Sequence, residues 1–359
     1  MPDPADALVT VTPYGLYVPS AKLFLDARTA PGTVFVSHAH SDHCAAAGLI
    51  VATPETSAFH EARRGRAAGV AIPLGQPLNV GPATLTLLSA AHTVGSAMVV
   101  AHTDAGVVAY TGDYKLRPNP LTPPASIPRC DALVMECTFG EPRYRFPPDG
   151  ELLARLFAFC DEALADGAVP VVLAYALGKG QEALHHLMAR GYEVALHGAI
   201  ANMTALHERI GVTFPGPGRW VRYAKGELDG RVLLTTPSTR KTAMVQKLAR
   251  KRICYLTGWA YHPGAHNIYK DCDLVLPLSD HADFDELVRT ARESGARKVY
   301  TVHGPARFAE HLRAIGIDAE HLAAHPQEGA VGGGRGEQGA VVECEPARGP
   351  QGSLFENLE

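Results

Sequence analysis

Short apolar runs, rich in β-branched residues, recur along this chain, and each is closed by a polar cluster. Strands buried in a sheet and ending at its edge read this way. Residues Val9 to Phe24 read as strands joined by turns at Pro13-Tyr14-Gly15 and Pro19-Ser20, and Leu23-Phe24-Leu25 ends on Asp26. Thr33-Val34-Phe35-Val36 leads into Ser37-His38-Ala39-His40-Ser41-Asp42-His43, and Ala83 to Leu88 leads into a loop carrying His92, Gly95 and Ser96. Val107 to Tyr110 ends at Thr111-Gly112-Asp113, and Asp131 to Met135 ends at Glu136. Leu274 to Leu278 gives way to Ser279-Asp280-His281, and Val299 to Val302 to His303-Gly304. Helical spacing predicts helices from Pro54 to Arg64, Glu151 to Ala165, Phe284 to Glu293 and Arg307 to Ile315.

The polar clusters share one chemistry. Imidazole nitrogen suits zinc and related borderline ions, and an adjacent carboxylate can serve a second ion. His38 and His40 are two apart on extended backbone, so both rings point to one side. Asp42 and His43 continue round the turn and can face a neighbouring position. Neighbouring strand ends bring their residues into one site, so His92, Asp113 and His303 are expected to join that loop. Asp26 can orient a ligating histidine or cap a turn; both readings stand at this point.

Tyr144-Arg145-Phe146-Pro147-Pro148 reads as a proline-broken boundary. Beyond it, strands at Val169–Ala174, Glu193–Leu196, Val232–Thr235 and Arg252–Thr257 alternate with helical stretches, an α/β unit of its own. Lys179 opens a helix, where a phosphate could sit on the free N–H groups, although a solvent-facing lysine is the plainer reading. Arg240 to Arg252 is the most basic stretch; it suits a nucleic-acid backbone or the solvated face of a helix. Trp220, Trp259 and Tyr261 could stack on unpaired bases, with packing in a core or domain interface the more ordinary role.

Bulk properties narrow the class. The 359 residues carry a net charge of −4, so any nucleic-acid contact must come from local patches. Seven scattered cysteines without a Cys-x-x-Cys spacing fit reduced thiols in a cytoplasmic protein. The first residues are acidic and proline-broken, unlike a signal peptide, and no apolar run is long enough to cross a bilayer. Beyond about His325 the Gly-rich sequence predicts a disordered tail.

Asp26, His38-x-His40-x-Asp42-His43, His92 and Asp113 resemble the ordered motif series of the metallo-β-lactamase fold. Glu136, His281 and His303, with the intervening α/β unit, resemble the additional motifs of its β-CASP nuclease branch. Thr12-Pro13-Tyr14-Gly15-Leu16-Tyr17, Gly112-Asp113-Tyr114-Lys115-Leu116, Tyr175-Ala176-Leu177-Gly178-Lys179 and Leu278-Ser279-Asp280-His281-Ala282-Asp283 are similar to the bacterial ligase-associated DNA exonucleases. The resemblance implies an α/β protein: an αββα sandwich over residues 1–148 and 274–325, a β-CASP insertion over 149–273 and a tail over 326–359.

It implies two divalent ions, zinc or manganese, with His38, His40 and His92 holding one. Asp42, His43 and His303 would hold the other, and Asp113 would bridge the two. Glu136 would support His281 as proton donor, and Asp26 would stand behind the ligands. Lys115, Arg117, Lys179 and Ser96 are the candidates for contacting a substrate phosphate. The implied activity is DNA exonucleolysis in repair, beside an ATP-dependent ligase and a helicase. A histidine at the position of His303 is associated with RNA-processing members, so RNA 3′-end processing is the alternative. Thioester or lactam hydrolysis on the same scaffold is disfavoured by the middle unit and by Glu136 with His281. In the tail, Gln351-Gly352-Ser353-Leu354-Phe355 resembles a sliding-clamp-binding peptide, with Gln351, Leu354 and Phe355 as its contacts.

Overall fold

The computed structural model describes residues 8–44 and 48–322; the tail, including Gln351, Leu354 and Phe355, lies outside the described residues. Three sheets organise the chain. The first takes strands Thr10–Thr12, Gly15–Val18, Leu23–Leu25, Thr33–Phe35, Leu49–Ala52 and Gly69–Ala71 in sequence order, antiparallel at the start and parallel from Leu23 onward. The second runs Ala319–His321, Lys298–Val302, Ala132–Glu136, Gly106–Tyr110, Ala97–Thr103, Ala83–Ser89, Leu78–Val80. Its first four strands are parallel and the rest antiparallel.

These two sheets meet face to face because each strand alternates. Along Ala83–Ser89 every second residue is buried; Leu85 and Leu87 pack with Val99, Ala101, Val108 and Tyr110 against Leu16, Leu23, Leu25 and Phe35 of the first sheet. The opposite residues of the second sheet, among them Met98, Val100, Leu133 and Met135, meet helices Phe284–Glu293 and Arg307–Ala314 through Phe284, Leu287, Phe308 and Leu312. Asp283 caps the first of these helices, accepting from the Glu286 N–H at 2.9 Å while Glu286 reaches back to the Asp283 N–H.

After Glu136 the chain leaves the sandwich to build the third sheet, all parallel, in the order Arg219–Arg222, Glu193–Leu196, Val232–Thr235, Val169–Leu173, Lys251–Leu256, Leu274–Leu276. Buried on both faces, its inner strands Val169–Leu173, Glu193–Leu196 and Val232–Thr235 read as near-continuous apolar runs rather than alternating ones. Leu274–Leu276, expected to open the returning part of the sandwich, instead pairs with Lys251–Leu256 as the last strand of this sheet. The return therefore falls after Leu276, and the loop carrying His281 spans the crossing. The basic stretch is not one helical face. It divides into a 3₁₀ turn over Pro237–Lys241, a short helix Ala243–Gln246 and strand Lys251–Leu256, with Arg240 paired to Asp271 at 3.2 Å and Arg252 to Glu162 at 3.2 Å.

No described helix is long and apolar enough to cross a membrane. The described cysteines are free thiols.

Candidate metal centre

The site is assembled where strands of the first two sheets end. Strand Thr33–Phe35 runs on through Val36, whose N–H donates to the Val51 carbonyl, and then turns sharply at His40, whose carbonyl accepts from the His43 and Cys44 N–H groups. Gly112, at φ 53, lies so close to Ser37 that an added Cβ would collide with that side chain, so strand end and loop approach only with glycine there. Asp26, Ala91 and His303 also hold left-handed backbone (φ 46, 54 and 53). Non-glycine residues are rarely kept in that region unless their surroundings fix them. All three border the same centre.

Asp26 resolves the alternatives left by the sequence. Its carboxylate accepts from the Ser37 N–H (2.7 Å), the Ser37 hydroxyl (2.6 Å), His43 Nδ1 (2.7 Å) and the Tyr110 hydroxyl (2.8 Å). It thereby fixes the histidine loop and the ring of His43.

The hydrogen bonds set the histidine tautomers. Ser37 Oγ gives its proton to Asp26 and so accepts from His38 Nδ1 at 2.9 Å. His92 Nδ1 donates to the Asp280 carbonyl at 2.8 Å, and His40 Nε2 to the Leu177 carbonyl at 3.0 Å. Each outward N–H is thus used, and the lone pairs of His38 Nε2, His40 Nδ1 and His92 Nε2 turn inward. His40 Nδ1 is 3.1 Å from each of the other two nitrogens. No proton remains to lie between them. Burial is the largest cause holding all three imidazoles below their ordinary pKa, reinforced for His38 and His92 by neighbouring histidines, so they are neutral.

Asp113 completes the cluster. Its Oδ2 lies 3.5 Å from His38 Nε2, 3.5 Å from His43 Nε2 and 4.0 Å from His92 Nε2, all too long for hydrogen bonds. Its Oδ1 is buried with no hydrogen-bond partner. Burial, opposed by His43 and His281, pushes its pKa up to about 7. His38, His40, His92 and Asp113 offer ligand atoms within 4.8 Å of one another.

This donor set fits a divalent cation. Tetrahedral ligands 2.0–2.1 Å from zinc stand about 3.3 Å apart, close to the spacing seen here. An ion would also satisfy the orphaned carboxylate oxygen and the three unshared lone pairs. A second group adjoins the first: His43 Nε2, Asp42 at 3.7 Å from it, and the His303 ring with its centroid 5.1 Å from that of His43. Burial pulls His303 down to about 4. Burial would also depress His43, but Asp113 and Asp26 outweigh it and hold it at about 10.

On the other side, His281 Nδ1 is 3.1 Å from both oxygens of the fully buried Glu136, and its ring centroid is 4.8 Å from that of His92. Burial opposes protonation of His281, but Glu136 and Asp113 overcome it and raise the pKa to about 10. The Tyr114 N–H at 2.9 Å fixes Glu136 in turn.

The residues expected to meet a substrate phosphate have other partners. Lys115 is buried and paired with Glu182 at 2.6 Å, and Lys179 is buried and paired with Asp280 at 2.9 Å. Arg117 donates to the His281 carbonyl at 2.9 Å and faces Asp149, Asp283 and Glu286 at 3.4–3.5 Å. Ser96 Oγ accepts from the N–H groups of His92 and Thr93 at 3.1 Å. A buried lysine would be strongly unfavourable without its carboxylate, so these cations brace the site instead of facing solvent.

Two groups in the site were not among the candidate site residues: the Leu177 carbonyl, from the third-sheet region, and Asp280, whose backbone carbonyl orients His92 and whose carboxylate is held by Lys179. A carbonyl contact is not written in residue type. Asp280 sits beside His281, and that adjacency was the available cue.

Fold and site together define a protein of the metallo-hydrolase class. Residues 275–322 match the family described as Zn-dependent metallo-hydrolase RNA specificity domain. A protein of Opitutus terrae named probable DNA ligase is 38% identical over 310 residues, 85% of this chain and 30% of that protein. Ribonuclease TTHA0252 of Thermus thermophilus is 27% identical over 160 residues, 44% of this chain and 36% of its own length. A crystal structure of a protein of unknown function from Enterococcus faecalis superposes with a TM-score of 0.56 at 13% identity, covering 83% of this chain and 80% of that one. The chain spans about a third of the length of the curated relatives it matches. It belongs to the β-CASP branch of the metallo-β-lactamase fold.

Proposed function

We propose that this chain is a metal-dependent exonuclease that hydrolyses phosphodiester bonds in DNA. The observation that carries the reading is the pairing of two features. Three inward lone pairs and a buried orphan carboxylate converge on one point, and a carboxylate-backed imidazolium stands beside them. His38, His40 and His92 would hold one cation and Asp42, His43 and His303 a second, with Asp113 shared. Two such cations, when bound, supply an activated water and neutralise phosphate oxygens.

The chain's own residues do the rest. Asp26 keeps the ring of His43 turned so that its Nε2 faces Asp113. His281 keeps Nδ1 on Glu136 and presents Nε2 to the leaving oxygen. As the bond from phosphorus to that oxygen breaks, the proton on Nε2 passes to it. Glu136 holds the imidazolium in place until then.

DNA is supported by the extent of similarity to the protein named probable DNA ligase, which runs through 85% of this chain. The same likeness makes an ATP-dependent ligase the partner proposed for this chain. RNA is the second reading, because the region matching an RNA specificity domain includes His281 and His303. The test is a time course on 5′- and 3′-labelled single-stranded DNA and RNA with manganese, zinc or chelator. Faster loss of terminal nucleotides from DNA, abolished by chelator, is expected. Preferential RNA cleavage would reverse the substrate, and no hydrolysis of either would end the proposal.

A further inference from the structure

Two large aromatic side chains near His281 are open to solvent. Trp259 is 37% exposed and Tyr261 40% exposed. They lie on the 3₁₀ turn Gly258–Tyr261 that follows strand Lys251–Leu256 at the carboxyl edge of the third sheet. Aromatic residues on a turn ordinarily bury against the body of the protein. These stand above a second aromatic layer in which Phe139 and Tyr144 are buried and Phe146 is half-buried. Phe139 is 5.0 Å from Trp259, Tyr144 is 5.7 Å from Trp259 and Phe146 is 6.1 Å from Tyr261, ring centre to ring centre.

This second layer is continuous with the site. Phe139 packs edge-on to His281 with ring centres 6.0 Å apart. Its other side rests on the backbone of Gly258, where an added Cβ would collide with the ring. Thr257 caps the turn, its hydroxyl accepting from the Trp259 N–H at 3.2 Å. The turn backbone is thereby fixed, and the indole packs on Phe139, two ring contacts from the proton donor.

A third exposed aromatic shares this edge. Tyr175 follows strand Val169–Leu173, the direct neighbour of Lys251–Leu256, and lies two residues before the carbonyl that orients His40. Lys179, four residues beyond Tyr175, is spent on the carboxylate of Asp280 at 2.9 Å.

We infer that Trp259 and Tyr261 form a stacking platform for an unpaired nucleobase next to the phosphate being cut, so that the substrate is a single-stranded end. A π-face accepts any base, whether its sugar is ribose or deoxyribose, and paired bases are unavailable to it. The inference rests on the nuclease reading and narrows its substrate to unpaired strands.

The chain has two tryptophans. Trp220 lies on the far edge strand of the same sheet, its indole donating to Glu208 at 3.0 Å. In a Trp220→Phe protein, Trp259 is the sole indole reporter. Its fluorescence is followed in chelator while a short oligodeoxyadenylate, an abasic phosphodiester of the same length, or the duplex is added. Quenching by the single strand alone is expected; read by the anisotropy of an end-labelled strand in the parent background, Trp259→Ala should weaken binding roughly tenfold to a hundredfold and Trp259→Phe less. Unchanged indole emission while the parent protein hydrolyses that strand in metal would overturn the platform and leave the nuclease standing. Quenching without hydrolysis in metal would uphold the platform and overturn the nuclease.

Discussion

Asp113→Asn is expected to lower the rate of oligonucleotide hydrolysis by about a thousandfold, since the loss of a shared anionic ligand removes several kcal/mol of charge stabilisation. The substitution keeps the shape of the side chain and removes its charge. Stability of the metal-free protein should move the other way. Burial raises the Asp113 pKa from 3.8 to about 7 in the folded chain. A group raised in this way favours the folded state below 3.8 and loses that contribution as pH rises through 7. Above neutrality its ionised form burdens the metal-free fold, with Oδ1 buried and unpartnered. Asparagine carries no such charge. Thermal melts in chelator at pH 8 should therefore show the variant no less stable than the parent, while added metal should stabilise the parent far more. A variant that melts lower in chelator and hydrolyses normally in metal would contradict both parts.

His281→Ala is expected to cost roughly 10²–10⁴-fold in kcat on an oligonucleotide, the range for loss of a positioned proton donor. The loss should shrink sharply on a p-nitrophenyl phosphodiester, whose leaving group needs no proton. His281 is raised from 6.5 to about 10, burial opposing and Glu136 and Asp113 prevailing. Its stabilising contribution is complete below 6.5 and is lost as pH rises through 10. Glu136→Gln should accordingly move the alkaline limb of the rate profile toward 6.5, without the leaving-group rescue that marks removal of the ring itself. Equal losses for both substrates in His281→Ala would mean that the ring shapes the site and donates no proton.

Much of this centre could be read from the chain because its ligands close apolar strands. His38, His40, His92, Asp113 and His303 each follow a run whose burial is written in its residues, and the two sheets of the sandwich bring those strand ends together, His38, His40, His92 and Asp113 in one cluster and His303 beside His43. What stayed hidden depends on partners distant in sequence. Lys115 meets Glu182 and Lys179 meets Asp280, and neither lysine carries a sign of its carboxylate. A lysine at a helix start looks like a phosphate contact until the fold supplies the acid. Trp259 and Tyr261 were obscured for the opposite reason: aromatic residues predict burial, and here the positions beneath them are taken by the buried Phe139 and Tyr144 and the half-buried Phe146. Leu274–Leu276 reads as a strand in either sheet, since an apolar triplet does not name its neighbour.

The most direct test is the metal content of the full chain. After dialysis against manganese or zinc and removal of free ion, atomic emission should find about two ions per chain, with His40→Ala retaining fewer. A parent protein that holds no metal under these conditions, yet still hydrolyses single-stranded oligonucleotides in chelator, would contradict the account.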